Sequence, residues 1–176
     1  MMKLLLLPVL IGFACCVAGL YGMIHNQISY TVAPEYFTAF KFRQFRISDT
    51  LPPRFGAALV GWQASWWMGA LIGAPIGMAT LFLPTLAQMA TVFLRVTLLV
   101  VAITLALGCA SLLIPVGPDI IALIPIPQGV VDSRAFARAG LMHDSSYLAG
   151  ILALLIGLAW VIRRVRRARA ASSGGA

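Results

Sequence analysis

Four long apolar stretches dominate the sequence, at about residues 4–24, 56–83, 92–116 and 145–162. Each approaches or exceeds the roughly 20 residues that an α-helix needs to cross the hydrocarbon core of a membrane. An isolated strand would leave its backbone N–H and C=O groups unpaired in lipid, so helix is the state that these stretches favour. The sequence therefore predicts an all-α integral membrane protein, a four-helix bundle with four spans.

The composition excludes an ordinary soluble domain. Hydrophobic residues make up 61% of the chain and charged residues only 10%, with a mean hydropathy of +0.95. Soluble domains are about half apolar and a quarter charged. The first stretch begins like a signal peptide at Met1-Met2-Lys3, but its apolar run continues to Ile24. This length predicts an uncleaved signal anchor.

Basic residues predict the orientation in the membrane. Five of the 13 Lys and Arg residues lie between 163 and 169, directly after the fourth stretch. Such a cluster stays cytoplasmic and faces anionic lipid. Both termini are therefore predicted to be cytoplasmic, in a bacterial inner membrane. The inverted orientation is the alternative, because the loop at 25–55 is also basic. The predicted interface anchors are Trp62, Trp66, Trp67, Arg163, Arg164, Arg166 and Arg167.

The two predicted outer loops, 25–55 and 117–144, are too rich in apolar residues to be simple linkers. Pro34 is suited to the first turn of a short helix in the first loop, and Asp132 to the cap of another that runs through Arg138. Aromatic and basic residues alternate at 36–46, which is typical of a segment lying on the membrane surface or of a cap. A small outer cap is the favoured interpretation. The single membrane domain is predicted to cover 1–169, with a disordered tail at 170–176.

Small residues recur at every fourth position of the second stretch. They are Ala57, Gly61, Ser65, Gly69, Gly73 and Gly77. On a helix this spacing makes one flat face that another backbone can approach closely. The partner of this face is predicted to be another helix of the chain, with the fourth stretch as a candidate because it contains Gly150, Ala153 and Gly157. A second subunit is the alternative.

The chain has two histidines, and each begins a similar short phrase. His25 follows the first apolar stretch, and His143 precedes the fourth, so both are predicted at the outer face. With Glu35 and Asp144 they form a candidate ligand set for a divalent metal, or for haem through the histidines. The alternative, which the sequence favours, is structural: His25 closes the first helix, and His143 lies beside the cap of the fourth.

No enzyme motif is present, and no Asp, Glu, Lys or His lies at a predicted bilayer midplane. Ion-coupled transporters generally need such a buried group. We therefore expect a non-enzymatic accessory or assembly subunit of a larger membrane complex, with lipid and membrane-protein subunits as partners and no nucleic acid. A metal- or haem-binding membrane protein and a small oligomeric channel or transporter are the alternatives.

Several segments resemble a family of small four-span bacterial membrane proteins that has no assigned activity. The resemblance is carried by residues 25–27, 29–30, 34–37, 40–42, 61–62, 143–144 and 146–148. It covers most of the chain and implies no catalytic residue. It implies that the outer cap and the two histidine phrases belong to one design.

Overall fold

The computed structural model describes residues 1–173, which form helices joined by turns and contain no strand. The helices are α1 (Met2–Val32), α2 (Phe42–Phe45), α3 (Pro53–Thr80), α4 (Leu86–Ala110), α5 (Pro118–Ala122) and α6 (Ser133–Ser173). A π-helical turn, Tyr36–Lys41, leads into α2, and a 3-10 turn, Ser111–Leu113, extends α4. The all-α prediction is confirmed for this part of the chain.

Three helices are long and apolar enough to cross a membrane: Met2–Val32, Leu86–Leu113 and Ser133–Ala171. They contain the first and fourth predicted spans, and the third up to residue 113. The second predicted span lies in α3, which has 28 residues but is not among the three. Its tryptophans, its glycines and Gln63 lower its average hydropathy.

Two helices extend further outward than the sequence suggested. α1 continues about two turns beyond His25 to Val32. α6 begins at Ser133, about three turns before the predicted start at 145. Asp132 caps α6 as expected, accepting a hydrogen bond from the Ala135 N–H at 2.8 Å. The short helix predicted to end at Arg138 is instead the first part of α6, because no residue in this region interrupts the helix.

The opposite end of α6 also differs from expectation. The helix continues to Ser173, so the first residues of the predicted disordered tail, 170–173, are helical. The rest of that predicted tail, 174–176, lies outside the described residues.

Consecutive long helices run in opposite directions. Gly77 of α3 lies beside Leu7 near the start of α1, whereas Gly61 lies beside Gly22 near its end. α4 and α6 show the same relation: Gly157 contacts Val96 in the first half of α4, and Gly108 near the other end contacts Ser146. One hydrophobic cluster is formed by residues of all four long helices.

The stripe of small residues on α3 faces α1. A Cβ at Gly61 would overlap the backbone carbonyl of Gly22, and a Cβ at Gly69 would overlap the backbone of Ala14. At the outer end of the stripe, the Ala57 carbonyl accepts a hydrogen bond from Asn26 of α1. The partner is therefore the first helix, and neither a second subunit nor α6 covers this face. Gly157 of α6 makes its close contact with α4 instead.

A second hydrophobic cluster lies at the outer end, where α1 ends and α3 and α6 begin. Its fully buried members include Phe37 from the π-helical turn and Phe136 from α6. Ile124, Ile126 and Val130, from the segment before α6, pack against it. The two outer segments thus share one apolar interior.

The α1–α3 contact generates a stability prediction. Gly61→Ala should destabilise the protein by about 1–3 kcal/mol, because the added methyl group must push the two backbones apart. The measurement is thermal denaturation of the purified protein in mild detergent.

Gly12→Ala is the matched control, because nothing lies within 4 Å of a Cβ at Gly12. Its denaturation temperature should stay the same or rise, since alanine is the better helix former by about 1 kcal/mol. Equal stability of the two variants would contradict the close α1–α3 contact.

Candidate functional site

The two histidines meet at the end of the four long helices that was predicted to be the outer one. The ring centroids of His25 and His143 lie 4.8 Å apart in an edge-to-face arrangement. Neither histidine lies at a helix end, since His25 is inside α1 and His143 is inside α6. The predictions that His25 closes the first helix and that His143 lies beside the cap of the fourth are therefore wrong. Rings in direct contact also leave no room for a porphyrin between them, so the pair does not fit a haem held by both histidines.

An asparagine joins the two rings. Oδ1 of Asn26 lies 3.1 Å from Nε2 of His143 and 3.5 Å from Nδ1 of His25. The amide nitrogen of Asn26 donates to the Ala57 carbonyl at 3.0 Å, which ties the side chain to α3. We call these three residues, His25, Asn26 and His143, the His–Asn–His cluster.

The outward-facing nitrogens of the cluster also have partners. Nδ1 of His143 lies 2.8 Å from the Ala139 carbonyl, one turn earlier in α6. Nε2 of His25 lies 3.0 Å from Oγ of Ser146, whose hydroxyl donates to the Met142 carbonyl at 2.9 Å. Every ring nitrogen of the cluster therefore faces an oxygen atom.

Burial differs within the cluster. His25 and Asn26 are each only 3% exposed. His143 is partly accessible, because it lines a cavity. The cluster thus lies at the boundary between the closed interior and an open space.

That cavity has a volume of about 100 Å³ and extends from the cluster along the interior. Residues of all four long helices line it, and most of them are apolar; examples are Ala14, Met68, Ile76 and Val100. Its polar residues concentrate near the cluster. Among them is Tyr21, whose hydroxyl is buried near Ser146 and Thr104.

Aromatic side chains from the π-helical turn cover the cluster. The Tyr36 ring lies 4.9 Å and the Phe37 ring 6.2 Å from the His143 ring. Burial, together with the charge of Asp144, raises the pKa of the Tyr36 phenol, so this residue stays neutral. Nearby, Lys41 lines the cavity with its ammonium group 4.5 Å from the Phe40 ring, and burial lowers its pKa. The segment therefore lies over the helices as a cover.

The two predicted carboxylate ligands lie elsewhere. Glu35 accepts backbone N–H groups of Val131 at 3.1 and 3.2 Å and of Asp132 at 3.0 Å. Asp144 is exposed on α6. Within residues 1–173, no group of three or more His, Cys, Asp or Glu side chains forms a metal site. The predicted set His25, Glu35, His143 and Asp144 is thus reduced to its two histidines.

The end of the long helices opposite to the two histidines is basic. Lys3 donates to the carbonyls of Leu81 and Leu83, joining α1 to the end of α3. A cleft of about 470 Å³ between α4 and α6 is lined by Arg95, Arg164 and Arg167.

The other predicted anchors are also placed. The ring of Trp62 packs against Gly19, while Trp66 and Trp67 are nearly half exposed. Arg163 and Arg166 are exposed on the last turns of α6. These positions suit contact with lipid and its headgroups.

Sequence reasoning missed Asn26, Ser146 and Tyr21 as members of the site. Asn26 belongs to the first histidine phrase but carries no charge, so it was not considered as a ligand. Ser146 follows His143 by three positions, and this spacing places both on one helix face. Tyr21 shows no signal in the sequence, because only the contact between helices places it at the cavity.

Comparisons of this chain with protein-family models, with curated proteins and with solved structures found no match. The predicted family resemblance therefore stays a prediction.

Glu35 generates a prediction about the outer segments. Glu35→Gln should destabilise the turn before α6 by about 1–3 kcal/mol, since the amide presents an N–H group to backbone N–H donors. Amide hydrogen exchange at Val131 and Asp132, followed by mass spectrometry, should become faster. Asp119→Asn, at an exposed carboxylate in α5, is the control and should leave these rates unchanged. Unaltered exchange in Glu35→Gln would show that the carboxylate does not hold the turn.

Proposed function

We propose that the chain is a four-span membrane protein that acts by binding a lipophilic molecule with a polar head. The ligand occupies the cavity between the four long helices, its head at the His–Asn–His cluster. The supporting observation is the cavity itself, which is apolar along most of its length and polar at one end. Small-molecule sites commonly combine mostly apolar walls with a few converging polar groups.

The depth of the cluster supports this arrangement. About 20 residues of α6, roughly 30 Å of helix, separate His143 from Arg163. This length matches the thickness of the hydrocarbon core. If the arginines lie at the cytoplasmic surface, the histidines lie at the outer boundary of the lipid. The outer segments then form a cap above the membrane, as the sequence predicts.

α3 is the span that composition alone does not identify. It lies antiparallel to α1 and contacts it from Gly61 to Gly77. Its small residues lower its hydropathy, but they face α1 and not lipid. A 28-residue helix is also long enough to cross. We therefore assign four spans and place both termini on the cytoplasmic side.

The dimensions of the cavity limit what it holds. An apolar cavity of about 150 Å³ accommodates a molecule the size of benzene. A space of about 100 Å³ takes part of an acyl or isoprenoid chain, with the remainder leaving through an opening. Tyr147 lines the cavity and is 45% exposed, which marks such an opening.

The other functions expected from sequence stay predictions. The accessory-subunit hypothesis relied on the surface aromatic residues, on the absence of an enzyme motif and on the small-residue stripe, which α1 covers within this chain. The stripe therefore no longer argues for a partner. In the described part of the chain, the cavity lining below the His–Asn–His cluster contains no charged residue. The channel or transporter hypothesis therefore gains no support from the cavity.

The topology has a direct test. Reporter fusions at the N-terminus and at the C-terminus should both report a cytoplasmic location, because four spans return the chain to its starting side. A fusion inserted in the exposed turn at 48–50 is the internal control and should report the outer side. Termini on opposite sides would exclude four spans and leave the three that composition identifies.

The cavity ligand is tested by filling the space. Protein purified in mild detergent should carry a bound lipophilic molecule that mass spectrometry detects, at up to one per chain. Ala64→Phe, which places a ring in the cavity, should reduce this occupancy at least tenfold. Ala102→Phe, on the exposed face of α4, is the matched control and should leave occupancy unchanged. The proposal is wrong if wild-type protein carries no such molecule or if Ala64→Phe retains it fully.

A further inference from the structure

A neutral His143 ring cannot form a hydrogen bond at both of its nitrogen atoms in this structure. A neutral imidazole carries one N–H group and one lone pair. Nδ1 of His143 lies 2.8 Å from the Ala139 carbonyl, and Nε2 lies 3.1 Å from Oδ1 of Asn26. Both oxygens are acceptors, so one nitrogen of the ring faces an acceptor without a proton. The shorter contact places the proton on Nδ1, which leaves the lone pair of Nε2 facing Asn26.

His25 also faces Oδ1 of Asn26 with a ring nitrogen that carries no proton. With the Ser146 proton assigned to the Met142 carbonyl at 2.9 Å, Nε2 of His25 donates to the Ser146 oxygen at 3.0 Å. Nδ1 of His25 then carries the lone pair, and it faces Oδ1 of Asn26 at 3.5 Å. Three lone-pair atoms therefore converge: one from each histidine and one from Asn26.

Turning the Asn26 amide does not remove the conflict. The opposite orientation would place hydrogens toward the two rings. It would also place Oδ1 against the Ala57 carbonyl oxygen at the 3.0 Å now occupied by the N–H···O hydrogen bond. The conflict would move to α3 without being resolved. A second proton on His143 would satisfy the two oxygens beside that ring, but it would leave the lone pair of His25 facing Oδ1 of Asn26. A metal ion between the three atoms satisfies all of them.

We propose that Nδ1 of His25, Oδ1 of Asn26 and Nε2 of His143 bind one divalent transition-metal ion of the Zn²⁺ class. Ligand atoms that share a tetrahedral Zn²⁺ ion lie about 3.3 Å from one another. The separations of 3.1 and 3.5 Å from Oδ1 to the two nitrogens bracket this value. Imidazole nitrogen is also the ligand that zinc, copper and nickel share.

The surrounding contacts fit metal-binding histidines. Such residues usually donate their second N–H to a backbone carbonyl or to another oxygen, which fixes the ring orientation. Here Ala139 takes this role for His143, and Ser146 takes it for His25. Asn26 is oriented in the same way by Ala57. The ligand atoms are thus positioned by contacts from α3 and α6.

The ion has an open position. Three protein ligands leave the fourth site of a tetrahedral ion free, as in catalytic zinc centres. His25, Asn26 and His143 all line the cavity, so the free position faces it. None of the three ligands is negatively charged, so the charge of the ion favours an anion at the fourth position: hydroxide, or an anionic head of the molecule proposed above. This inference rests on the proposed function only for that last option.

The test begins with metal content. Because His25 and His143 are the only histidines, the protein must be purified with a tag that contains none. Metal-free protein, prepared with chelator, is then titrated with ZnCl₂ in mild detergent. We expect one Zn²⁺ per chain by elemental analysis, and a tetrahedral absorption spectrum when Co²⁺ replaces Zn²⁺.

Variants distinguish the proposed metal ligands from the residues that position them. His25→Ala and His143→Ala should each lower Zn²⁺ affinity at least 100-fold, and the double variant should abolish binding. Ser146→Ala, which removes a positioning residue, should weaken binding about tenfold. Glu35→Gln should bind Zn²⁺ like wild type although its outer turn is destabilised. Full binding by the double histidine variant would assign the metal to another place and overturn the proposal.

A measurement on the wild-type protein covers the case in which a histidine variant fails to fold. With ¹⁵N-labelled histidine, only four ring nitrogens are observed, two from each histidine. Adding Zn²⁺ should shift Nδ1 of His25 and Nε2 of His143, while the other two nitrogens keep their protons. Four unchanged signals would overturn the metal site. That result would leave the lipid-binding proposal standing, because the Ala64→Phe experiment tests the cavity without metal.

Discussion

The close contact between α1 and α3 is the interaction on which the rest of the structure depends. In lipid, helices gain little by burying apolar side chains against each other, so association relies on close backbone approach and hydrogen bonds. Glycines on both helices, Gly22 and Gly61, permit this approach. It brings Asn26 within hydrogen-bond distance of the Ala57 carbonyl. The orientation of the Asn26 amide, and with it the arrangement of the two histidines, follows from that contact.

The outer segments cover the His–Asn–His cluster, whose arrangement depends on the α1–α3 contact. Tyr36 and Phe37 belong to a π-helical turn, and their rings cover His143 from above. π-helical turns occur frequently at functional sites, where they place side chains that a regular helix would direct elsewhere. Because the turn packs on Phe136 of α6, the cover and His143 are held by the same helix.

Hydrophobic pattern predicted the elements of the fold well, because long apolar stretches admit few structures in lipid. It placed the ends of α1 and α6 poorly. His25 and His143 each have polar neighbours, which look like a helix end in sequence but face partners on other helices in the structure. The pairing of the histidines was predictable from topology alone. Asn26 as the link between them was not, since it depends on which residue of α3 faces α1.

The site also shows why charged residues were a poor guide to the ligands. Glu35 attracted attention as a carboxylate near a histidine, yet it binds backbone N–H groups in the outer turn. Uncharged amide and hydroxyl groups, Asn26 and Ser146, occupy the places beside the rings. A buried centre built from neutral groups costs less desolvation in an apolar interior than one built from carboxylates.

The basic cleft at the inner end has a consequence for the opposite end. In the topology proposed above, Arg95, Arg164 and Arg167 would attach α4 and α6 to the phosphate layer of the inner leaflet. The helices are rigid, so this attachment makes the height of the outer end depend on bilayer thickness. In a thinner membrane, Lys41 and Tyr147 stand further into water; in a thicker one, lipid tails reach them. Membrane thickness thus controls which phase, water or lipid, the mouth of the cavity meets.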